Sequence, residues 1–232
     1  MNKRIILGIS SVAAVLAIGA STVALTGFGM TERSDVTYMT DGPSFADVAD
    51  LTKASKAVAH VRVVSMGASH TIAFDKAAAV VSERPNGNPD KDKGGAQLST
   101  TPAGTPPTGI LKTDFVVEVL DNVRGPGLKK GDQITVSQIG GQIATKRPDG
   151  TAGTQIVANA EHDPLMKVGD EEVLFLNQDK ASGAYFTTGG GMGRFNIAAN
   201  GTLTAVDHDS PIARVANGKP ASFLTNAVKA VN

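Results

Sequence analysis

The chain has 232 residues, 22 basic and 22 acidic side chains, two Tyr, no Trp and no Cys. Balanced charge gives no bulk electrostatic reason to expect nucleic acid or an anionic membrane surface as a partner, and the few aromatic rings leave little for stacking on bases. The absence of cysteine excludes disulfides, thiolate metal sites, a cysteine nucleophile and a lipid-modified cysteine. We therefore expect no nucleic-acid partner, no cofactor, and a fold that core packing alone must stabilise.

The N-terminal segment indicates export. Lys3 and Arg4 precede an uncharged, mostly apolar run from Ile5 to Met30, which is typical of the secretory route. A signal-peptide core spans about 7 to 15 residues and a membrane helix about 20, so this run could be a cleaved signal peptide or a retained anchor. The remainder is expected outside the cytoplasm, secreted or anchored to the cytoplasmic membrane, with membrane contact only through residues 5–30 if they are not cleaved.

Composition divides the rest of the chain. Residues 31–43 are rich in charge and hydroxyl groups and are interpreted as a tether, and residues 44–232 as a single β-rich domain. Within that domain, residues 83–109 contain almost no large apolar side chain and many Pro, Gly, Ser and Thr. Such a segment cannot bury enough surface to offset the entropy of ordering, so we predict a disordered insertion; a partner-binding or glycosylated loop is the alternative.

The domain begins with a helix and a strand. Ser44 is predicted to cap a helix that ends near Lys56, because apolar residues follow at helical spacing. A β-branched run at 58–64 predicts the first strand, and a second strand is predicted at 71–81. His60 lies in the first strand and is interpreted as an edge residue or one satisfied by a backbone partner, with a ligand role as the alternative.

The stretch Lys112 to Gly141 predicts a central β-hairpin. Apolar and polar residues alternate on both sides of a connection with three glycines and one proline. The apolar run Val173 to Leu176 predicts a strand buried on both faces, expected to partner this hairpin. Between them, Gln142 to Asp163 is interpreted as a long loop with one short strand near 154–158.

The C-terminal part predicts more sheet and a final helix. Short strands are expected at 184–188, 194–198 and 202–206. Asn200-Gly201 predicts a type I′ hairpin turn. The glycine-rich stretch 189–193 precedes a strand rather than a helix, so it is interpreted as a bend and not as a phosphate-binding loop. Apolar residues at helical spacing predict a helix between Pro220 and Asn232.

Candidate site residues are few, and none is predicted to be catalytic. A basic cluster at the hairpin tip is a weak binding candidate: Arg124, Lys129 and Lys130. The spacing of His and Asp residues predicts no metal site. The weak metal candidates are His162, Asp163 and His208, which place imidazole beside carboxylate in polar loops. No helical His-x-x-x-His spacing or Gly-x-Ser-x-Gly elbow accompanies them.

The order of segments carries a resemblance. A strand AVAHVRVVSM, the hairpin TDFVVEVLDNVRGPGLKKGDQITVSQIGG, the segment DPLMKVGDEEVLFLNQD and a late GRFNI resemble a group of uncharacterised exported proteins of Gram-positive bacteria. Their pattern is similar to the five-stranded OB-type barrel of tissue inhibitors of metalloproteinases and netrin-like modules. The resemblance implies a fold, not an activity, because those inhibitors chelate zinc through an N-terminal cysteine that this chain lacks.

The expected fold is mainly β: an antiparallel OB-like barrel or curved sheet, with a short helix before the first strand and a C-terminal helix. The expected function is a non-catalytic binding module for a protein or cell-envelope component, since loops on a sheet scaffold commonly carry recognition. The alternative is an extracellular hydrolase or metal-dependent enzyme that uses the loop His and Asp residues. A purely structural envelope role also stays open.

Overall fold

The architecture is that of a computed structural model, which describes residues 33–38, 43–73, 109–146 and 150–231. Within these ranges the chain forms ten strands and three α-helices. In chain order they are β1 (Arg33–Tyr38), α1 (Val48–Ala54), β2 (Ala57–Ala73), β3 (Gly109–Arg124), β4 (Gln133–Ile139), β5 (Gly141–Lys146), β6 (Ala152–Ala160), β7 (Glu171–Gln178), β8 (Tyr185–Thr187), β9 (Arg194–Ile197), β10 (Leu203–Ala205), α2 (Pro211–Ala216) and α3 (Ser222–Lys229).

Five strands close into a ring. β7, β2, β3 and β4 pair in that order, β8 pairs with β4, and β8 also pairs with β7. All these pairings are antiparallel except the single β4–β8 bridge between Val136 and Tyr185. On the same edge that receives β8, the first half of β7 pairs with β9, which carries β10. The predicted class is therefore confirmed: a mainly β fold with a barrel-like sheet, a helix before β2 and helices at the C-terminal end.

Two apolar cores lie on the two faces of this sheet. One fills the ring and includes Val61, Phe115, Val117, Leu174 and Leu176. The other lies between the outer face and the helices and includes Leu51, Phe175, Phe195, Ile212 and Leu224. Successive side chains of a strand point to opposite faces, so β7 supplies alternate residues to both cores. This explains why its apolar run is continuous, as predicted for residues 173–176.

The hairpin prediction is confirmed, but its neighbour differs from the expectation. β3 and β4 pair from Lys112–Ile139 to Glu118–Gln133. β7, however, pairs with β2, whose residues 57–62 face residues 171–176, so β2 separates β7 from the hairpin. The prediction that the 173–176 run partners the hairpin directly was wrong because β2 pairs with β7 along one edge and with β3 along the other.

β2 is one strand where the sequence predicted two. The stretch between the predicted strands contains Gly67 and small residues, which suggested a break. The structure accommodates it by register shifts in the pairing with β3, between Val63 and Ser65 and between Met66 and Ser69. Such bulges absorb extra residues without ending a strand. Residues 74–81 of the predicted second strand lie outside the described residues.

A second sheet forms from segments predicted to be irregular apart from one short strand near 154–158, which lies within β6. β1 pairs in parallel with β6, and β6 pairs antiparallel with β5. Part of the predicted tether is thus strand β1, and the predicted long loop at 142–163 holds most of β5 and all of β6. Polar alternating residues such as those of β1, with every second side chain exposed, can form an edge strand once a partner supplies hydrogen bonds. That partner is distant in sequence, so local reasoning missed it.

The helices begin at capping residues. The side chain of Asp47, rather than Ser44, caps α1 by accepting a hydrogen bond from the backbone N–H of Asp50 at 2.9 Å. Ser210 caps α2 in the same way, with Pro211 in the first turn, which favours a helix start. α3 confirms the predicted C-terminal helix, while α2 was not predicted.

The Asn200-Gly201 turn joins β9 to β10 as expected, although not as type I′. Gly201 has φ of 78°, while His162 is the one non-glycine residue with positive φ within the described part of the chain. Asn200 therefore keeps an ordinary backbone angle, and only the second residue of the pair uses the left-handed region. The glycine stretch forms a 3-10 turn at Gly190–Gly193, consistent with the predicted bend.

Candidate functional site

Two of the three candidate sites contain adjacent acidic residues at the start of β7, Glu171 and Glu172. Glu171 points outward, where β2 presents Arg62 opposite it. Glu172 points into the ring and is fully buried. Strand alternation thus sends one carboxylate to solvent and its neighbour into the protein interior. Glu171 pairs with Arg62, and Glu172 pairs with Arg194.

Glu171 lines an open groove of about 760 Å³, here called the Glu171 groove. The turn before β7, the outer face of β2 and the β9–β10 hairpin form its walls. Its lining combines hydrogen-bonding side chains with small residues, including His60, Lys167, Asn196, Thr204 and Ala221. No Phe, Tyr or Trp is among its described lining residues. The groove therefore offers polar contacts and space, and no stacking platform.

An exposed ion network holds Glu171 in the groove wall. Arg62 donates from Nη2 and Nε to Oε1 of Glu171 at 2.6 and 3.2 Å. Oε2 of Glu171 lies 3.2 Å from Nε2 of His60. The hydrogen bond from Arg62 lowers the pKa of Glu171 below its ordinary value, and the same bond raises the pKa of Arg62. Glu171 is therefore a fixed, ionised carboxylate beside the groove.

Glu172 belongs to a buried ion cluster with Arg194 and Asp163. Arg194 donates from Nε and Nη2 to both oxygens of Glu172, at 3.0 and 2.8 Å. Its Nη1 donates to Oδ1 of Asp163 at 2.6 Å and to the carbonyl oxygen of Pro164. Gln138 of β4 donates to the same Asp163 oxygen at 2.9 Å and accepts a bond from the Met166 N–H. These bonds tie β4, β7, β9 and segment 163–166 together at one end of the ring.

Burial controls the electrostatics of this cluster. The three charged side chains are at most 7% exposed. Desolvation raises the pKa of Asp163, against the opposing effect of Arg194. Burial also tends to lower the pKa of Arg194, but its two carboxylate partners outweigh that effect and the net pKa is raised. The guanidinium therefore stays charged.

A third feature, here called the His162 pocket, lies where three loops meet. It has a volume of about 130 Å³ and is lined by residues that include His162, Glu161, Asp207 and Met192. His162 adopts φ of 56°. A β-carbon at Gly191 would collide with the carbonyl oxygen of His162, so glycine allows the 3-10 turn to approach this loop. Ligand atoms of His162, Asp207 and Asp209 lie within 4.8 Å of one another.

The three weak metal candidates from the sequence are thus separated. Only His162 belongs to the group in this pocket, and its neighbours there are Asp207 and Asp209. The Asp163 carboxylate is directed to Arg194, and His208 is exposed and outside the group. His60 lies elsewhere, in the Glu171 groove, and its partner is a carboxylate rather than a backbone group. The structure thus brings one of these three candidates, His162, together with two other loop carboxylates, and places the other two candidates apart from it.

The three residues of the predicted basic cluster at the hairpin tip also have different environments. Arg124 donates from Nη1 to the carbonyl oxygen of Thr52 at 2.8 Å, so it fastens the hairpin to α1. Lys129 and Lys130 are exposed in the turn between β3 and β4. None of the three lines the Glu171 groove or the His162 pocket.

Comparison with known proteins identifies no relative from which a family or an activity could be assigned. The chain matches no protein-family model, no curated protein and no solved structure. Across the described ranges, no helix is both long enough and apolar enough to cross a membrane. The apolar run at 5–30 and most of the predicted insertion at 83–109 lie outside those ranges.

Sequence reasoning missed most residues of these sites. Arg62, Glu171, Glu172 and Arg194 were not singled out, although two acidic residues directly before an apolar run are a signal. One of two adjacent strand residues must face inward, and an inward carboxylate needs a cation. His208 was noted for an imidazole beside carboxylate, but the meeting of its loop with His162 depends on tertiary contacts.

Proposed function

We propose that this chain is an exported or membrane-anchored, non-catalytic binding domain that recognises a protein or cell-envelope component through the Glu171 groove. The observation that carries the proposal is the groove itself: an open space of about 760 Å³ on a sheet, with an ordered, ionised carboxylate in its wall. Export rests on the basic and apolar N-terminal pattern of the sequence.

The lining favours a peptide-like ligand. Lys167 and Glu171 supply opposite charges along the groove, and Asn196 and Thr204 can donate and accept hydrogen bonds. Recognition of sugars and bases commonly uses aromatic faces for stacking, which the described lining does not contain. A polypeptide segment with hydrogen-bonding backbone and charged side chains matches this chemistry better than a stacked ring.

The groove wall is ordered before any ligand arrives. Arg62 and His60 hold the Glu171 carboxylate from two sides, and the β2–β7 pairing fixes the strands that carry all three residues. Preorganised groups lose less freedom on binding. This supports recognition rather than a merely solvated acidic residue.

Affinity capture from detergent-solubilised cell envelopes tests the proposal. The full-length chain serves as bait beside two matched variants, Lys167→Ala in the groove and Lys130→Ala at the hairpin tip; both lysines are exposed. A third variant, Thr204→Arg, fills the groove from the exposed face of β10.

We expect the wild type and Lys130→Ala to retain the same specific component, and Lys167→Ala and Thr204→Arg to lose it. Loss with Lys130→Ala alone would transfer recognition to the hairpin tip and refute the groove. Absence of any component specific to the wild type would refute the binding function.

A further inference from the structure

The His162 pocket has the chemistry of a metal site. Each of His162, Asp207 and Asp209 offers one ligand atom, and these atoms lie within 4.8 Å of one another. Ligands around a common ion at about 2.0 to 2.2 Å are separated by distances of this order or less. Small movements of the exposed side chains would bring the three donors around one ion.

The histidine ring is oriented as a ligand would be. Its Nδ1 faces Asp209, 3.6 Å from Oδ2, and its Nε2 lies 3.5 Å from Oε1 of Glu161. Metal-binding histidines commonly present their other ring nitrogen to a carboxylate, which fixes the ring and strengthens the ligand. Glu161 occupies that supporting position here.

Asp207 is the least exposed of the three ligands. It is only 8% exposed and lines the pocket. Its Oδ1 accepts a hydrogen bond from the Asp209 N–H at 3.1 Å, whereas Oδ2 has no hydrogen-bond or cationic partner among the described residues. The Asp207 carboxylate therefore faces the pocket with an oxygen that a cation can bind.

The buried charges near the pocket are negative on balance, which also favours a bound cation. The buried charged residues of the described chain are three carboxylates, Asp163, Glu172 and Asp207, and one cation, Arg194. Asp207 is close enough to Asp163 for their charges to interact unfavourably. Buried charges require compensation, and Arg194 is fully used by Glu172 and Asp163. Of the two carboxylates in excess, one lies in the Arg194 cluster and the other, Asp207, lines the pocket.

We propose that this pocket binds one divalent first-row transition-metal ion, of which Zn²⁺ is representative, through Nδ1 of His162 and the carboxylates of Asp207 and Asp209. An imidazole ligand favours zinc and its neighbours over Ca²⁺ and Mg²⁺, which prefer oxygen ligands alone. The pocket volume of about 130 Å³ also leaves room for waters, each of which occupies roughly 30 Å³. The bound ion joins the loops at 161–163 and 207–210.

Calorimetric titration of the purified full-length chain with Zn²⁺ tests the site, with an affinity tag that contains no histidine. We expect one ion per chain, weaker binding of Ca²⁺, and binding of Co²⁺ with visible absorption typical of imidazole and carboxylate ligands. Asp209→Asn removes a ligand whose side chain is 84% exposed, so the fold is retained. His162→Asn removes the imidazole, and asparagine tolerates the left-handed backbone.

Each of these two variants should weaken Zn²⁺ binding at least about tenfold, on the scale seen even for supporting residues of metal sites. His208→Asn is the matched control, because His208 is an exposed histidine between the two aspartates and outside the group. It should bind Zn²⁺ like the wild type. No Zn²⁺ uptake by the wild type, unchanged affinity in both ligand variants, or an equal loss with His208→Asn would overturn the proposal.

Discussion

Glu171 and Glu172 are adjacent in β7 and have opposite environments. Glu171 is 30% exposed and pairs with Arg62, itself 48% exposed. Glu172 is 0% exposed and pairs with Arg194 at 2%. Both are carboxylate–arginine pairs of similar length, yet solvent screens one and not the other. Burial, rather than distance, therefore decides what each pair contributes.

The two pairs consequently serve different purposes. An exposed pair contributes little to stability, and its fixed carboxylate is available to a ligand. A buried pair contributes most through the penalty of leaving one partner alone. We infer that the exposed network serves recognition in the Glu171 groove, and that the buried ion cluster holds the end of the ring and the loop that carries His162.

The largest expected effect follows from removal of Arg194. Arg194→Met leaves Glu172 and Asp163 as buried carboxylates without a cation, so we expect the free energy of unfolding to fall by about 3–5 kcal/mol. Denaturant unfolding followed by circular dichroism measures it. Arg62→Met is the matched control, and its cost should be much smaller because solvent screens the exposed pair. Equal costs for the two variants would contradict the comparison.

The second effect concerns Gln138, which supports the buried ion cluster. Gln138→Met leaves the N–H of Met166 and the carbonyl oxygen of Pro164 with fewer partners, so we expect a loss of about 1–3 kcal/mol. Gln142→Met serves as the control, because Gln142 is exposed on β5 and bonds only weakly to Gln155, at 3.3 Å. The same unfolding measurement applies, and a loss of equal size in Gln142→Met would remove the special role of Gln138.

The smallest effect is a pH dependence from Glu171. Its pKa is lowered in the folded chain, so its pairing adds stability above its ordinary pKa near 4.5 and loses that contribution as pH falls through the folded value. The contribution is at most about 1 kcal/mol, as for other exposed pairs. Unfolding free energies of the wild type and Glu171→Gln, measured from pH 7 to pH 3, should differ at neutral pH and converge in acid. A constant difference across that range would exclude this titration.

The sequence predicts those elements whose information is local. The alternation around Phe115 and Val136 identified the β3–β4 hairpin, and the apolar run of β7 identified a strand buried on both faces. The C-terminal helix followed from the spacing of Phe223, Leu224 and Val228. In each case the pattern of burial repeats within one segment, so no knowledge of a partner is needed.

Elements whose stability comes from a distant partner were missed. β1 is polar and becomes a strand only because β6, about 120 residues later, pairs with it. The bulges of β2 allow it to continue past Gly67, which local rules interpret as a break. The sites follow the same pattern: His162 meets Asp207 and Asp209, and Glu172 meets Arg194, only through the packing of separate loops and strands.

The most direct test of this division compares Glu171→Gln with Glu172→Gln, two isosteric changes one residue apart, in the envelope-capture and unfolding assays. We expect Glu171→Gln to lose the captured component while its unfolding free energy stays within about 1 kcal/mol of the wild type. Glu172→Gln should lose about 1–3 kcal/mol and keep capture under conditions where it is folded. Undiminished capture by Glu171→Gln, or equal stability of the two variants, would contradict the account.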